Sequence, residues 1–230
     1  MDNFYKPFGP IILEEQLPIE KINWLNNLIE QVPKEVKAKS VDVGGLDLQK
    51  YLSGNISGDQ IALPKSILFD SENGIMSDIL TGCEKYNNYV SDTVKEHNGR
   101  KSEGEVLDDP KGKKPEMISA WVNRTYAGDF NPFHRHYNCD ISGVLALMIP
   151  ENMYDERGSG ELNLFYGEDS KYNNHHVRLR PEAGTIYYFP EWMNHMVNPF
   201  RGEGERRREG GNKRRIRCKI VVSFKAIHCT

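Results

Sequence analysis

Long apolar runs, a secretory signal and paired cysteines are all missing from this chain of 230 residues. Its mean hydropathy is -0.64, and no apolar run approaches the roughly 20 residues that a membrane helix needs. The first residues, MDNFYKPFGPIILEE, lack the basic-then-apolar pattern of a signal peptide. These absences exclude a membrane-spanning helix and lead us to expect a cytoplasmic protein with no membrane partner.

Cysteine usage and net charge exclude further classes. The four cysteines have no CxxC spacing, so we expect reduced thiols rather than a disulfide framework. The formal net charge of -3 gives no general attraction to nucleic acid. Nucleic acid could be contacted only through one arginine-rich segment, residues 201–217, which is described below.

The first half of the chain has a helical period. Apolar residues recur at three- and four-residue steps in LPIEKINWLNNLIEQVP and in GIMSDILTGCEKYNNYVSDTVKEHNG. Two amphipathic helices are therefore predicted, with Pro18 in the first turn of one and Pro33 at its end. The polar stretch HNGRKSEGEVLDDPKGKKPE that follows predicts a loop. We interpret residues 1–114 as a helical support region followed by this loop.

From residue 115 to residue 230 the period becomes that of β-strands. Short runs rich in β-branched and aromatic residues alternate with turn residues, and together with the segments around two histidines they number about eight. No helical pattern intervenes, which favours an antiparallel sandwich or barrel. The fold class predicted is mainly β with flanking helices, in one integrated domain.

Two histidines at alternate positions stand out in NPFHRHYNCD. Because alternate side chains of a strand point to the same face, His134 and His136 are expected to converge. A third isolated histidine, His195, follows another strand in FPEWMNHMVNPF. Three protein ligands on one face would leave positions open at a bound metal, as catalytic sites require. The other interpretation is that these histidines are only polar surface residues.

Several blocks, taken in order, resemble the iron(II)/2-oxoglutarate-dependent oxygenases. They are WVNRTYAGDFNPFHRHYNCDISGVLAL, GSGELNLFYG, LRPEAGTIYYFPEWMNHMVNPF and IRCKIVVSF, which span Trp121 to Phe224. They are most similar to a group common in bacteria and tailed phages and related to prolyl hydroxylases. The resemblance implies a double-stranded β-helix, or jelly roll, flanked by N-terminal helices. Fe(II) as cofactor and 2-oxoglutarate as cosubstrate are implied with it.

The resemblance also implies the metal ligands. His134 matches the first iron ligand and His195 the distal ligand, while His136 falls where most relatives have aspartate or glutamate. Three neutral imidazoles would leave the full +2 charge of iron uncompensated, which favours anionic ligands. Asp140 is the rival for the carboxylate position. Otherwise it accepts a hydrogen bond from a ligand imidazole and orients that ring.

The cosubstrate anchor implied by the resemblance is Lys219. The family holds the far carboxylate of 2-oxoglutarate with a basic residue on the strand after the distal histidine, and KIVVSF aligns with that strand. Arg217 shares the strand parity of Lys219 and is the alternative, since a guanidinium can hold a carboxylate with two bonds. Asn123 and Thr125 on the strand WVNRTY are expected to face the same cavity. Where many relatives have a tyrosine, this chain has SGVLAL.

Other residues near these blocks have less specific interpretations. The arginine-rich segment 201–217 is either a solvated insertion or a basic flap that recruits an acidic or nucleic-acid substrate. His175 and His176 are expected on the surface. Cys139 lies near the metal motif, but an oxygen-binding iron site has no need of a thiolate.

The function implied is that of a dioxygenase that hydroxylates a C–H bond. Its partners would be molecular oxygen and a peptide or small-molecule substrate, with a prolyl or other amino-acid side chain as the expected target. The alternatives are a cupin-like metal-binding barrel that does not use 2-oxoglutarate, or a binding module without catalysis.

Overall fold

The computed structural model describes residues 3–5, 9–31, 60–63, 69–70, 72–97, 111–151, 153–168, 170–171, 174–201 and 219–228. Within these ranges the chain forms two helices: α1 covers Ile19–Gln31 and α2 covers Met76–His97. The strands are β1 (Asn3–Tyr5), β2 (Ile12–Gln16), β3 (Gln60–Ala62), β4 (Pro115–Thr125), β5 (Asn131–His134), β6 (Ile141–Met148), β7 (Leu162–Phe165), β8 (His176–Leu179), β9 (Thr185–Pro190), β10 (Asn194–Val197) and β11 (Lys219–His228).

The strands form two antiparallel sheets. The larger has the order β1-β2-β9-β6-β11-β4-β3, and the smaller has the order β5-β10-β7-β8. The eight strands β4 to β11 correspond to the eight predicted between residues 115 and 230. The predicted fold class, mainly β with flanking helices and a jelly-roll core, is confirmed. No helix in the described ranges is both long and apolar enough to cross a membrane.

Both faces of the larger sheet are buried, and alternate residues of its central strands serve two cores. On β9, Ile186 and Tyr188 pack with the helices, whereas Tyr187 and Phe189 pack toward the smaller sheet. This alternation follows from the pleat, because successive side chains point to opposite faces. The inner face therefore packs against the smaller sheet, and the candidate site lies between the two sheets.

The two helices lie where their sequence period predicts. Ile22, Leu25 and Ile29 of α1 are buried in the core that α1 shares with the larger sheet, as are Ile79 and Cys83 of α2. Burial of such a stripe stabilises a helix more than its intrinsic propensity does. Ile19, the first residue of α1, has the spacing of this apolar stripe but is exposed, so the expectation that the whole stripe is buried is wrong at this position.

The description of the first half as helical was incomplete, because β1, β2 and β3 all join the larger sheet. Ile12 and Leu13 of β2 are adjacent and both buried, since β2 is covered on both faces. A strand buried on both faces shows no alternation, so periodicity does not reveal it. β1 and β3 have three residues each, too few for any period. The division of the chain at residue 114 remains a prediction.

Helix α2 approaches β9 closely at Gly82. A Cβ added there would collide with the ring and hydroxyl of Tyr188 and with the carboxylate of Glu15. Gly82→Ala should therefore lower the free energy of unfolding by about 1–3 kcal/mol, although alanine is the better helix former. Chemical denaturation measures this. Asn88→Ala, at an exposed position of the same helix, is the control and should change stability little. A Gly82→Ala protein as stable as the parent would contradict the close packing.

Candidate metal centre

Three histidines converge at one end of the space between the sheets. His134 ends β5, His136 follows it in the turn, and His195 lies on β10, where its Cα pairs with that of His134. Their possible ligand atoms all lie within 4.8 Å of one another. His136 and His195 are buried and His134 is partly exposed. His136 reaches the cluster from the turn after β5, and His195 is added by the pairing of β10 with β5.

Backbone carbonyls orient two of the rings. Nδ1 of His134 donates to the carbonyl oxygen of Pro132 at 2.7 Å, and Nδ1 of His195 donates to that of Met193 at 3.0 Å. A proton held on Nδ1 leaves the lone pair on Nε2, which is the atom that then serves as a metal ligand. Both rings thus have the tautomer and the fixed orientation that a metal site requires.

Burial keeps His195 neutral. Desolvation, together with the nearby His134, lowers the pKa of His195 to about 3, against the opposing effect of the hydrogen bond to Met193. A neutral imidazole is the form that binds a metal ion. The ring centroid of Trp121, which is also buried, lies 5.6 Å from that of His136.

Asp140 lies apart from the histidine cluster. Asn138 adopts a left-handed conformation with φ of 59°, which asparagine tolerates better than most residues. The turn leads the chain from His136 into β6, which leaves Asp140 exposed at the start of that strand. The metal-binding group found among the described residues contains the three histidines and not Asp140.

This geometry separates the two candidates for the third ligand. His136→Ala should lose most of the iron affinity, whereas Asp140→Asn should change it by less than about tenfold, because an exposed carboxylate outside the cluster acts at most indirectly. Iron titration by calorimetry under anaerobic conditions measures both. The reverse ranking would show that the carboxylate completes the ligand set.

A small cavity extends from the histidines toward the end of the barrel where β4 turns into β5. Asn123 is buried and Thr125 partly buried on the inner face of β4, and both belong to the cavity wall together with His134 and His195. The remaining wall residues are Asp129, Phe130, Asn131, Val144, Leu162, Val197, Asn198 and Phe200. The wall of this cavity therefore combines polar and apolar side chains beside the histidines.

The candidate anchor lies on the strand beside this wall. The Cα of Lys219, the first residue of β11, pairs with that of Thr125, and Val221 pairs with Asn123. Directly paired residues of antiparallel strands belong to the same face of the sheet. Arg217 lies outside the described residues, as does the segment 201–217 apart from Arg201.

The other residues singled out in the sequence lie away from the cluster. His175 and His176 are both partly exposed, and the ring of His176 stacks on Phe165 at 5.1 Å. Cys139 is buried, 3.9 Å from the hydroxyl of Ser142.

Sequence reasoning missed several wall residues that a short repeated motif could have indicated. Asn-Pro-Phe occurs at residues 131–133 and again at 198–200, and both asparagines line the cavity. Asn131 pairs with Val197, the residue before the second motif, so strand pairing brings the two copies together. Asp129 was missed because an aspartate after glycine reads as a turn residue, and it does accept the backbone N–H of Tyr126 at 2.9 Å.

Comparison with known proteins identifies the same region. Residues 119–208 match the family described as "Putative 2OG-Fe(II) oxygenase". No curated protein sequence matches the chain.

Solved structures of similar architecture cover nearly the whole chain at low identity. A prolyl-4-hydroxylase from Pseudomonas putida is 11% identical, with a TM-score of 0.49 and coverage of 95% of this chain and 93% of that one. The viral collagen prolyl hydroxylase of Paramecium Bursaria Chlorella virus-1, in a complex with 2OG, is 13% identical, with a TM-score of 0.47 and 94% coverage of both chains. The epimerase SnoN of nogalamycin biosynthesis is 10% identical, with a TM-score of 0.49 and coverage of 94% and 78%.

The family match contains all three clustered histidines and most strands of the jelly roll. The donor set also suits a divalent metal, since three imidazoles meet at one point and two of them are oriented through Nδ1. Residues 119–208 therefore resemble the iron(II)/2-oxoglutarate-dependent oxygenases, and the histidine cluster that they contain fits a divalent metal such as Fe(II).

Proposed function

We propose that the protein is a hydroxylase that uses Fe(II) and 2-oxoglutarate to oxidise a C–H bond of its substrate. The observation that carries the proposal is the cluster of three histidines at the head of a cavity between the two sheets, whose wall includes Asn123 and Thr125. When bound, the iron and 2-oxoglutarate supply the oxidising chemistry, with molecular oxygen as the oxidant and succinate and carbon dioxide as co-products.

His134, His136 and His195 would hold the iron on one face. With three protein ligands the remaining positions stay open, as a site that binds both a cosubstrate and oxygen requires. The carbonyl oxygens of Pro132 and Met193 keep two rings in place, so the ligand set is preorganised. Trp121 packs beside His136, and apolar wall residues such as Val144 and Leu162 lie in the same cavity as His134 and His195.

The cavity would hold 2-oxoglutarate between the iron and Lys219. Asn123 and Thr125 contribute polar groups to the wall, and the pairing of Lys219 with Thr125 supports a cation near the far end. Because no carboxylate belongs to the proposed ligand set, the metal keeps its full charge and attracts the anionic cosubstrate more strongly.

A prolyl or other amino-acid side chain is the substrate class we propose. It is supported by the resemblance of the blocks between Trp121 and Phe224 to a group related to prolyl hydroxylases.

Two measurements on the purified protein test the proposed reaction. Anaerobic addition of Fe(II) and then 2-oxoglutarate should produce a weak visible charge-transfer absorption, and oxygen should then cause succinate to form. Succinate that rises when a peptide or free amino acid is added identifies the substrate class. If Fe(II) binds but neither the absorption nor succinate is seen, the protein is a metal-binding barrel of the cupin type. If no metal binds, it is a binding module.

A further inference from the structure

Two acidic side chains are buried among the residues that the structure describes, Asp129 and Glu161, with exposed fractions of 3% and 2%. Glu161 forms an ion pair with Arg180 at 2.8 Å. Asp129 belongs to the wall of the cavity that also contains His134 and His195, and it is the one acidic residue among the described residues of that wall. A buried carboxylate is costly unless a positive charge or hydrogen bonds compensate it. Asp129 thus lies where a bound cation would compensate it.

The turn between β4 and β5 fixes the position of Asp129. Its Oδ2 accepts the backbone N–H of Tyr126 at 2.9 Å, and its own N–H donates to the carbonyl oxygen of Tyr126 at 2.9 Å. The N–H of Gly128 donates to the carbonyl oxygen of Phe200, another wall residue, at 3.1 Å. Hydrogen bonds from backbone N–H groups to charged carboxylates are stronger than those between neutral groups. These bonds therefore hold Asp129 at one place in the wall.

The three-histidine ligand set has no negative charge of its own. The metal-binding group found among the described residues contains only the histidines, and neutral imidazoles do not offset the charge of a divalent cation. A fixed negative charge in the same buried cavity attracts that cation, because charges interact more strongly where water is excluded. Asp140 is exposed, so solvent and salt weaken its effect.

We propose that Asp129 supplies, from the cavity wall, the negative charge that the three-histidine ligand set lacks. This inference rests on the proposed function, since it concerns the metal and the cosubstrate of that site. The same charge repels the two carboxylates of 2-oxoglutarate and those of the product succinate. Asp129 therefore strengthens the binding of the metal and weakens that of both dianions, and a less tightly held succinate leaves the site sooner.

Asp129→Asn tests the charge alone, because the amide oxygen of asparagine still accepts the N–H of Tyr126. The affinity of the full-length protein for Fe(II) should fall about tenfold, the lower end of the effect of groups outside a ligand set. The affinities of the Fe(II)-loaded variant for 2-oxoglutarate and for succinate should each rise about threefold or more, since a repulsion is removed. Anaerobic calorimetry measures these affinities without turnover.

Asp155→Asn is the matched control, since it makes the same chemical change at an exposed position outside the cavity wall. Its affinities for Fe(II), 2-oxoglutarate and succinate should stay within about twofold of the parent, because solvent and salt screen an exposed charge. Chemical denaturation establishes that both variants fold.

The opposite signs of the two effects distinguish a charge from a part of the turn. If the affinities for Fe(II) and 2-oxoglutarate fall together in Asp129→Asn, Asp129 only holds the turn and the inference is wrong. It is also wrong if either affinity stays unchanged or if Fe(II) binds the variant more tightly.

The proposed function fails separately, through the absence of succinate from reactions of the parent protein. A parent that forms succinate, beside an Asp129→Asn variant with unchanged affinities, would refute the inference alone. A parent that forms no succinate, although its Fe(II) and 2-oxoglutarate affinities depend on Asp129 with opposite signs, would refute the hydroxylase alone.

Discussion

Replacing His195 with alanine should abolish iron-dependent turnover of 2-oxoglutarate and lower the affinity for Fe(II) by at least about 100-fold. Loss of a residue that only orients a metal ligand typically lowers metal affinity by about 10- to 100-fold, and loss of a ligand should cost more. His195 is buried, neutral and oriented by the carbonyl oxygen of Met193, so its replacement removes a lone pair that is already in position. His134→Ala should behave in the same way. Anaerobic calorimetry and succinate assays measure the two effects.

A matched histidine variant separates loss of a ligand from general damage. His175 is partly exposed and lies outside the cluster, so His175→Ala should retain both iron binding and turnover. Circular dichroism should show that His195→Ala remains folded, because a residue at the end of the barrel contributes little to the two cores. Full activity in His134→Ala or His195→Ala would remove the metal assignment.

The site illustrates what local sequence can predict. The convergence of His134 and His136 was predicted from the period of a strand, but β5 ends at His134 and the turn that follows it brings His136 to the cluster. The contribution of His195 depends on the pairing of β10 with β5, a contact between distant parts of the chain. No spacing rule gives that pairing, and the resemblance to a family was needed to predict it.

The same division between local and distant information explains what sequence reasoning missed. Strands β4 to β11 were visible because they are short runs with turn residues between them. β2 was not visible, because Ile12 and Leu13 are buried in different cores on its two faces and the sequence therefore shows no alternation. The exposure of Phe133, Tyr137 and Trp192 was missed for a related reason: aromatic residues in strand-rich sequence read as core residues. Only the structure distinguishes exposed rings from buried ones.

The second large effect is expected at the cosubstrate anchor. Lys219→Ala should raise the apparent Michaelis constant for 2-oxoglutarate by roughly 30-fold or more. Removing one partner of a buried ion pair costs about 2–5 kcal/mol, and each 1.4 kcal/mol corresponds to a tenfold change in affinity. Iron affinity should barely change, because the lysine is not among the proposed ligands. Steady-state kinetics with varied 2-oxoglutarate, beside iron titration of the same variant, measures both quantities.

Variants of two other basic residues test whether the effect on 2-oxoglutarate is specific to Lys219. Lys114, exposed just before β4, controls for the loss of any positive charge, and Lys114→Ala should change neither constant. Arg217 shares the parity of Lys219, so Arg217→Ala tests the register and should have the smaller effect. Lys219→Arg should recover part of the affinity, because the charge persists but the planar guanidinium must fit the same space. The opposite result would be a large rise of the apparent Michaelis constant for 2-oxoglutarate in Arg217→Ala and a small one in Lys219→Ala. The anchor would then be Arg217, and the pairing of Lys219 with Thr125 would not indicate the position of the cation.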